Sequence, residues 1–110
     1  MAVKANIVID QGADFETTIN VTDSDDVPID LTNYTGTAQM RKYYTSTAQT
    51  QFNVTVGGAN GTVLLSMNNA TTANITAGRY VYDCELRDTS SNVISRIVEG
   101  IVTVTPQVTK

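Results

Sequence analysis

The sequence contains no histidine and a single cysteine, Cys84, so the common nucleophile and base pairs of enzyme chemistry cannot be assembled from it. The same shortages remove the ligand sets of zinc and iron sites. One cysteine cannot close an intrachain disulfide, and on a strand it is read as a small buried hydrophobe. Lysine and arginine are also scarce: seven are spread along the chain against eleven carboxylates, for a net charge of -4. Gripping a phosphate backbone needs clustered cations, so nucleic acid is not an expected partner. The one basic pair, Arg41-Lys42, adjoins Tyr43-Tyr44, a combination that can stack on bases or sugars. The plainer reading is a strand end whose aliphatic stems lie over apolar surface. Apolar runs such as Val63-Leu64-Leu65 are far too short to span a bilayer, so no transmembrane segment and no membrane partner are expected. The opening residues, Met-Ala-Val-Lys-Ala-Asn, lack the apolar stretch of a secretory signal, so assembly in a cytosol is expected.

What is abundant is threonine, eighteen residues, with nine asparagines beside it. Threonine is β-branched and suits a pleated, half-exposed strand. Six Asn-x-Thr sequences, at Asn20, Asn33, Asn53, Asn60, Asn69 and Asn74, follow from that composition and are not read as glycosylation sites. Hydrophobic residues reach 41% of 110, enough for one packed domain spanning the chain.

Apolar residues recur with period two along almost the whole length, and the class read from this is all-β. The first expected strand, residues 3 to 10, puts Val3, Ala5, Ile7 and Ile9 on one face; the second, 15 to 22, carries Phe15, Thr17, Ile19 and Val21. Val27 to Asp30 resumes briefly, with Pro28 at an edge position. After a corner at Leu31 to Gly36, a strand over 37 to 44 turns Ala38 and Met40 one way, Arg41 and Tyr43 the other. Residues 51 to 56 and 62 to 67 flank Gly57 to Gly61 and predict a hairpin. A helical turn is expected between Asn68 and Thr76, anchored by Ala70, Ala73 and Ile75. Residues 79 to 88 and 93 to 104 make a second hairpin, with a bulge expected at Glu99-Gly100.

Seven or eight short strands bury their apolar faces only against another sheet, which implies a sandwich or a small barrel, and the pattern at Gly78 to Tyr82 selects an immunoglobulin-like antiparallel β-sandwich without a disulfide. Gly78-Arg79-Tyr80-Val81-Tyr82 matches the tyrosine corner of such folds, with Tyr80 as the corner residue and Tyr82 where antibody domains carry their second cysteine. Gly78, Tyr80 and Tyr82 are therefore taken as fold-determining.

Asp23, Asp25 and Asp26 crowd one turn, whereas a glycosidase holds two carboxyls across a cleft from separate elements. The turn also lacks the twelve-residue spacing of a calcium loop. No cofactor, metal or catalytic residue is assigned, and the chain is read as a non-enzyme.

Four stretches carry a resemblance: Gly12-Ala13-Asp14-Phe15, Asp23-Ser24-Asp25 through Pro28 to Thr35, Met40-Arg41-Lys42, and Ala77 to Asp83. They resemble small immunoglobulin-like virion proteins of tailed bacteriophages, including cyanophage-type structural proteins and the N-terminal domain of upper baseplate proteins. The resemblance covers nearly the whole chain. It implies a non-enzymatic virion subunit, assembled in the host cytoplasm, that acts as a docking, decoration or adaptor module on the capsid or the tail and baseplate. Its partners would be other virion proteins, in many copies per particle.

A module gripping carbohydrate or a cell surface is the alternative, with Tyr34, Tyr43 and Tyr44 as its exposed aromatic candidates. For contacts between subunits the sequence points to the chain ends: Val3 and Ile7 at one, Gln107, Val108 and Lys110 at the other. Pro106 cannot donate to a ladder, so pairing should stop near Thr105 and free Gln107 to Lys110, although the end strands can equally pair within their own sheets. Since neither metal nor disulfide is assigned a stabilising role, EDTA and dithiothreitol should leave the Tm unchanged in a thermal melt. A large drop with EDTA would make the Asp23 to Asp26 turn a calcium site.

Overall fold

In a computed structural model, which describes residues 3–22, 25–46 and 48–108, the chain forms two sheets packed face to face. The strands are β1 (Val3–Lys4), β2 (Ile7–Asp10), β3 (Phe15–Asn20), β4 (Tyr34–Arg41), β5 (Thr50–Gln51), β6 (Asn53–Val56), β7 (Thr62–Met67), β8 (Gly78–Asp88) and β9 (Ile94–Thr105). One sheet runs β1-β9-β8-β4-β5, with β2 also on β9; the other runs β3-β7-β6. β1 and β2 are one interrupted run, and β5 and β6 another, so the nine segments make seven runs. This is a disulfide-free all-β sandwich of immunoglobulin type.

The core follows the two-residue period. Ala38 and Met40, Val63, Leu65 and Met67, Tyr82, Cys84 and Leu86, and Val98, Val102 and Val104 all point inward and are buried. The Gly57 to Gly61 hairpin forms as the glycines predict, with Val56 opposite Val63 and a short 3-10 turn between.

Five features differ from the sequence reading. The first run is parallel to β9, not antiparallel, pairing Ile7 with Val102 and Asp10 with Thr105. Parallel neighbours need a long connection, and here nearly the whole domain supplies it. The bulge lies at Ile97, where the register passes from Cys84 opposite Val98 to Glu85 opposite Arg96. Gly100 stays in register opposite Tyr82, and its missing side chain has another use: a Cβ there would stand 2.2 Å from the Ala5 carbonyl oxygen. Val27 to Asp30 contributes only a bridge between Thr22 and Pro28. β4 starts earlier than expected and stops at Arg41. Finally, Ala70 and Ala73 are exposed on the helix α1 (Asn69–Ala73), and its anchors are Thr72 and Ile75. The Thr72 hydroxyl donates to the Ala13 carbonyl at 2.8 Å and accepts from the Gly12 amide at 3.1 Å, which satisfies a buried polar group that an alanine could not supply.

The tyrosines of β8 have separate tasks. Gly78 has φ +144°, a setting that side chains rarely allow, and it brings the chain from α1 into β8. The Tyr80 hydroxyl then donates back to the Thr76 carbonyl at 2.6 Å, and the Lys42 ammonium lies 5.1 Å from the centre of its half-exposed ring. Tyr82 is buried, and its hydroxyl donates to Ala5 O at 2.6 Å, tying the first run to the centre of the larger sheet. Tyr82→Ala should cost about 3–5 kcal/mol in urea denaturation, and Tyr80→Ala measurably less because its ring is only partly buried. An equal or reversed order would overturn this division.

Candidate functional site

The described chain ends are tied down more firmly than the sequence suggests. β1 and β2 are paired with β9, and Ile7 is half-buried, so neither Val3 nor Ile7 belongs to a strand left without a partner. Pairing does stop at Thr105, yet Gln107 is not free. Its amide donates to the Gln11 side-chain oxygen at 3.0 Å, while the Gln11 side-chain nitrogen donates to Ile75 O at 2.7 Å. The turn after β2 thus clamps both the helix and the C-terminal segment, a link between distant residues that no local pattern reveals. Val108 beyond it is almost fully exposed, and Lys110 lies outside the described residues.

Of the acidic turn, Asp23 lies outside the described residues and Asp25 and Asp26 are exposed. Among the described residues no group of three or more His, Cys, Asp or Glu is placed to share an ion, and no helix is long and apolar enough to cross a membrane. Tyr34 packs against the core, which removes it from the aromatic platform candidates; Tyr43 and Tyr44 are exposed.

Two surface features remain. At one side of the sandwich β3 ends its sheet and pairs only with β7, so its outer edge presents unpaired backbone donors and acceptors. Between this edge and the first run opens a groove of about 380 Å³, lined by Ile7, Thr17, Ile19, Val21 and Ile97 among others. The second feature is a cleft of about 460 Å³ on the outer face of the larger sheet, with Gln39, Arg41, Tyr44, Asp83, Glu85, Arg96 and Glu99 around it. The Arg96 guanidinium lies 3.3 Å from Asp83 and 3.7 Å from Glu99. Arg41 donates to the Gln39 side-chain oxygen at 3.1 Å and to the Ser46 carbonyl. Sequence reading singled out Arg41 and Tyr44 but missed the rest of this cleft, because its other residues come from three strands and meet only through the sheet register.

No protein-family model matches the sequence, and no curated protein does. Among solved structures, the chain is similar to part of a family 123 glycoside hydrolase from Clostridium perfringens, studied for glycolipid glycan hydrolysis, with a TM-score of 0.54 and 10% identity. The match covers 97% of this chain and 23% of that one, and what it establishes is the fold.

Cys84 sits beneath the cleft on the core side of β8 and is fully buried. Burial first, then the charges of Asp83 and Glu85, push its thiol from 9.0 up to about 12. Native protein should therefore react with a thiol reagent only as fast as it opens. Above pH 9.0 the unfolded thiol loses its proton while the folded one keeps it, so unfolding is favoured progressively up to pH about 12. Alkaline melts should show that loss of Tm, reduced in Cys84→Ala; rapid labelling of the native protein would contradict the burial.

Proposed function

We propose that this protein is a non-enzymatic structural subunit of a tailed-phage virion, docking onto neighbouring virion proteins of the capsid or the tail and baseplate. The observation that carries the reading is the open edge of β3 beside its apolar groove. A neighbour's extended segment can add to such an edge, gaining main-chain hydrogen bonds while alternate side chains enter the groove at Ile7, Ile19 and Ile97. Small immunoglobulin-like sandwiches suit this task because strands inside the two sheets are paired on both sides, so that partner contacts through the backbone are confined to edge strands such as β3. The strand-and-turn stretches that resemble phage virion proteins support the same reading, and Val81 facing Ile101 next to exposed Tyr43 offers further apolar contact surface on the outer face.

The test replaces groove-edge residues by lysine, a charge that blocks strand addition. Thr18→Lys and Asn20→Lys chains, both altered at exposed positions of β3 and supplied during infection, should fold with a near-unchanged Tm and be depleted from purified particles by quantitative mass spectrometry. Full incorporation of both folded variants would remove β3 as the contact. Absence of the wild-type chain from purified particles would overturn the virion role itself.

A further inference from the structure

We propose that the cleft on the outer face of the six-stranded sheet binds a neutral saccharide with adjacent hydroxyls, an inference that stands apart from the particle reading. The sheet register lays out three rows across β4, β8 and β9. Thr37, Glu85 and Arg96 form one, Gln39, Asp83 and Glu99 the next, and Arg41, Val81 and Ile101 the third. Polar rows thus lie directly beside one in which Val81 and Ile101 are apolar, and Tyr44, 79% exposed, stands at the rim.

The β-bulge makes this arrangement. Val98 points into the core, so an unbroken alternation would turn Arg96 inward as well, a charge opposite buried Leu86. The extra residue at Ile97 resets the phase and delivers Arg96 to the outer face, between two carboxylates that oppose each other in register. Asp83 facing Glu99 without a cation between them would be destabilising.

The charges that result select a class of ligand. Three carboxylates, Asp83, Glu85 and Glu99, face two guanidiniums, Arg41 and Arg96, giving a net charge of 3 - 2 = 1 negative unit, which disfavours an anion. Arg96 is engaged with Asp83 and Glu99, and Glu85 makes no ion pair among the described residues, leaving a carboxylate acceptor turned into the cleft. Arg41, fixed by Gln39 and Ser46, is a donor held in place before any ligand arrives. A hydroxyl donates and accepts at once, so adjacent hydroxyls satisfy a carboxylate and a guanidinium together. The C–H face of a sugar ring finds its counterpart in Tyr44 and the Val81 row. A volume of about 460 Å³ lies within the range of small-ligand sites, and the open form of the cleft fits a weak, millimolar affinity.

The test is an amide NMR titration of the full chain with D-glucose, D-galactose, D-mannose and N-acetyl-D-glucosamine. At least one should give saturable shifts centred on Gln39, Tyr44, Asp83 and Glu85. Tyr44→Ala and Glu85→Gln, both checked by thermal melts, should each weaken that binding about tenfold. No saturable shift with any of the four, shifts confined to the β3 groove, or variants that bind as tightly as the wild type would overturn the proposal. So would shifts of the cleft with oligolysine and none with the sugars, which would assign it to a cationic peptide.

Discussion

Phe52 sits where one chain segment leaves the six-stranded sheet and enters the three-stranded one, and the rest of the sandwich is arranged around that crossing. Its amide still donates to Ala38 of β4 at 3.0 Å, whereas Asn53, the next residue, is already paired with Ser66 of β7. A single residue thus spans the interior, and only a large apolar side chain can fill the space beside it. The Phe52 ring lies 6.1 Å from Phe15 on the small sheet and 6.1 Å from Tyr82 on the large one, tilted against both, so aromatic contact joins the two layers at the point where the backbone does. Antibody-type domains tie their sheets there with a disulfide packed on tryptophan; here three aromatic rings occupy the role without either.

From Tyr82 the same logic extends to the first run of the chain. Its hydroxyl holds Ala5 O, the Ala5 amide donates to Glu99 O at 2.9 Å, and the Asn6 side chain accepts from the Ile101 amide at 3.1 Å. The close approach that these bonds require exists because Gly100 has no side chain. Since the run bonds to β9 on one side only, the groove towards β3 stays open along its other side. The packing that secures the N-terminal run is therefore also what leaves a surface available to another chain.

The large sheet keeps its two faces chemically distinct. Inside, Cys84 and Leu86 lie in an unbroken apolar layer; one residue away on the same strand, Asp83 and Glu85 form the cleft. Period-two alternation produces that contrast without any special feature along β8. On β9 alternation alone fails, and the bulge at Ile97 restores it. The stability of the core and the chemistry of the outer face thus depend on one irregularity.

The sequence by itself determined the all-β class, the inward sets of residues 15 to 22, 37 to 44, 51 to 56 and 62 to 67, both hairpins and the halt of pairing before Pro106, because each rests on alternation or turn chemistry within a dozen residues. Tertiary structure alone decided the parallel pairing of the first run, the transfer of one strand between sheets at Phe52, and the clamp of Gln11 on Ile75 and Gln107. It also moved the bulge from Glu99-Gly100 to Ile97 and the helix anchor from Ala70 and Ala73 to Thr72. The candidate site falls in this second group. Gln39, Asp83 and Glu99 are dispersed along the chain, and their meeting is fixed by sheet register, a relation between strands that periodicity within one strand does not encode.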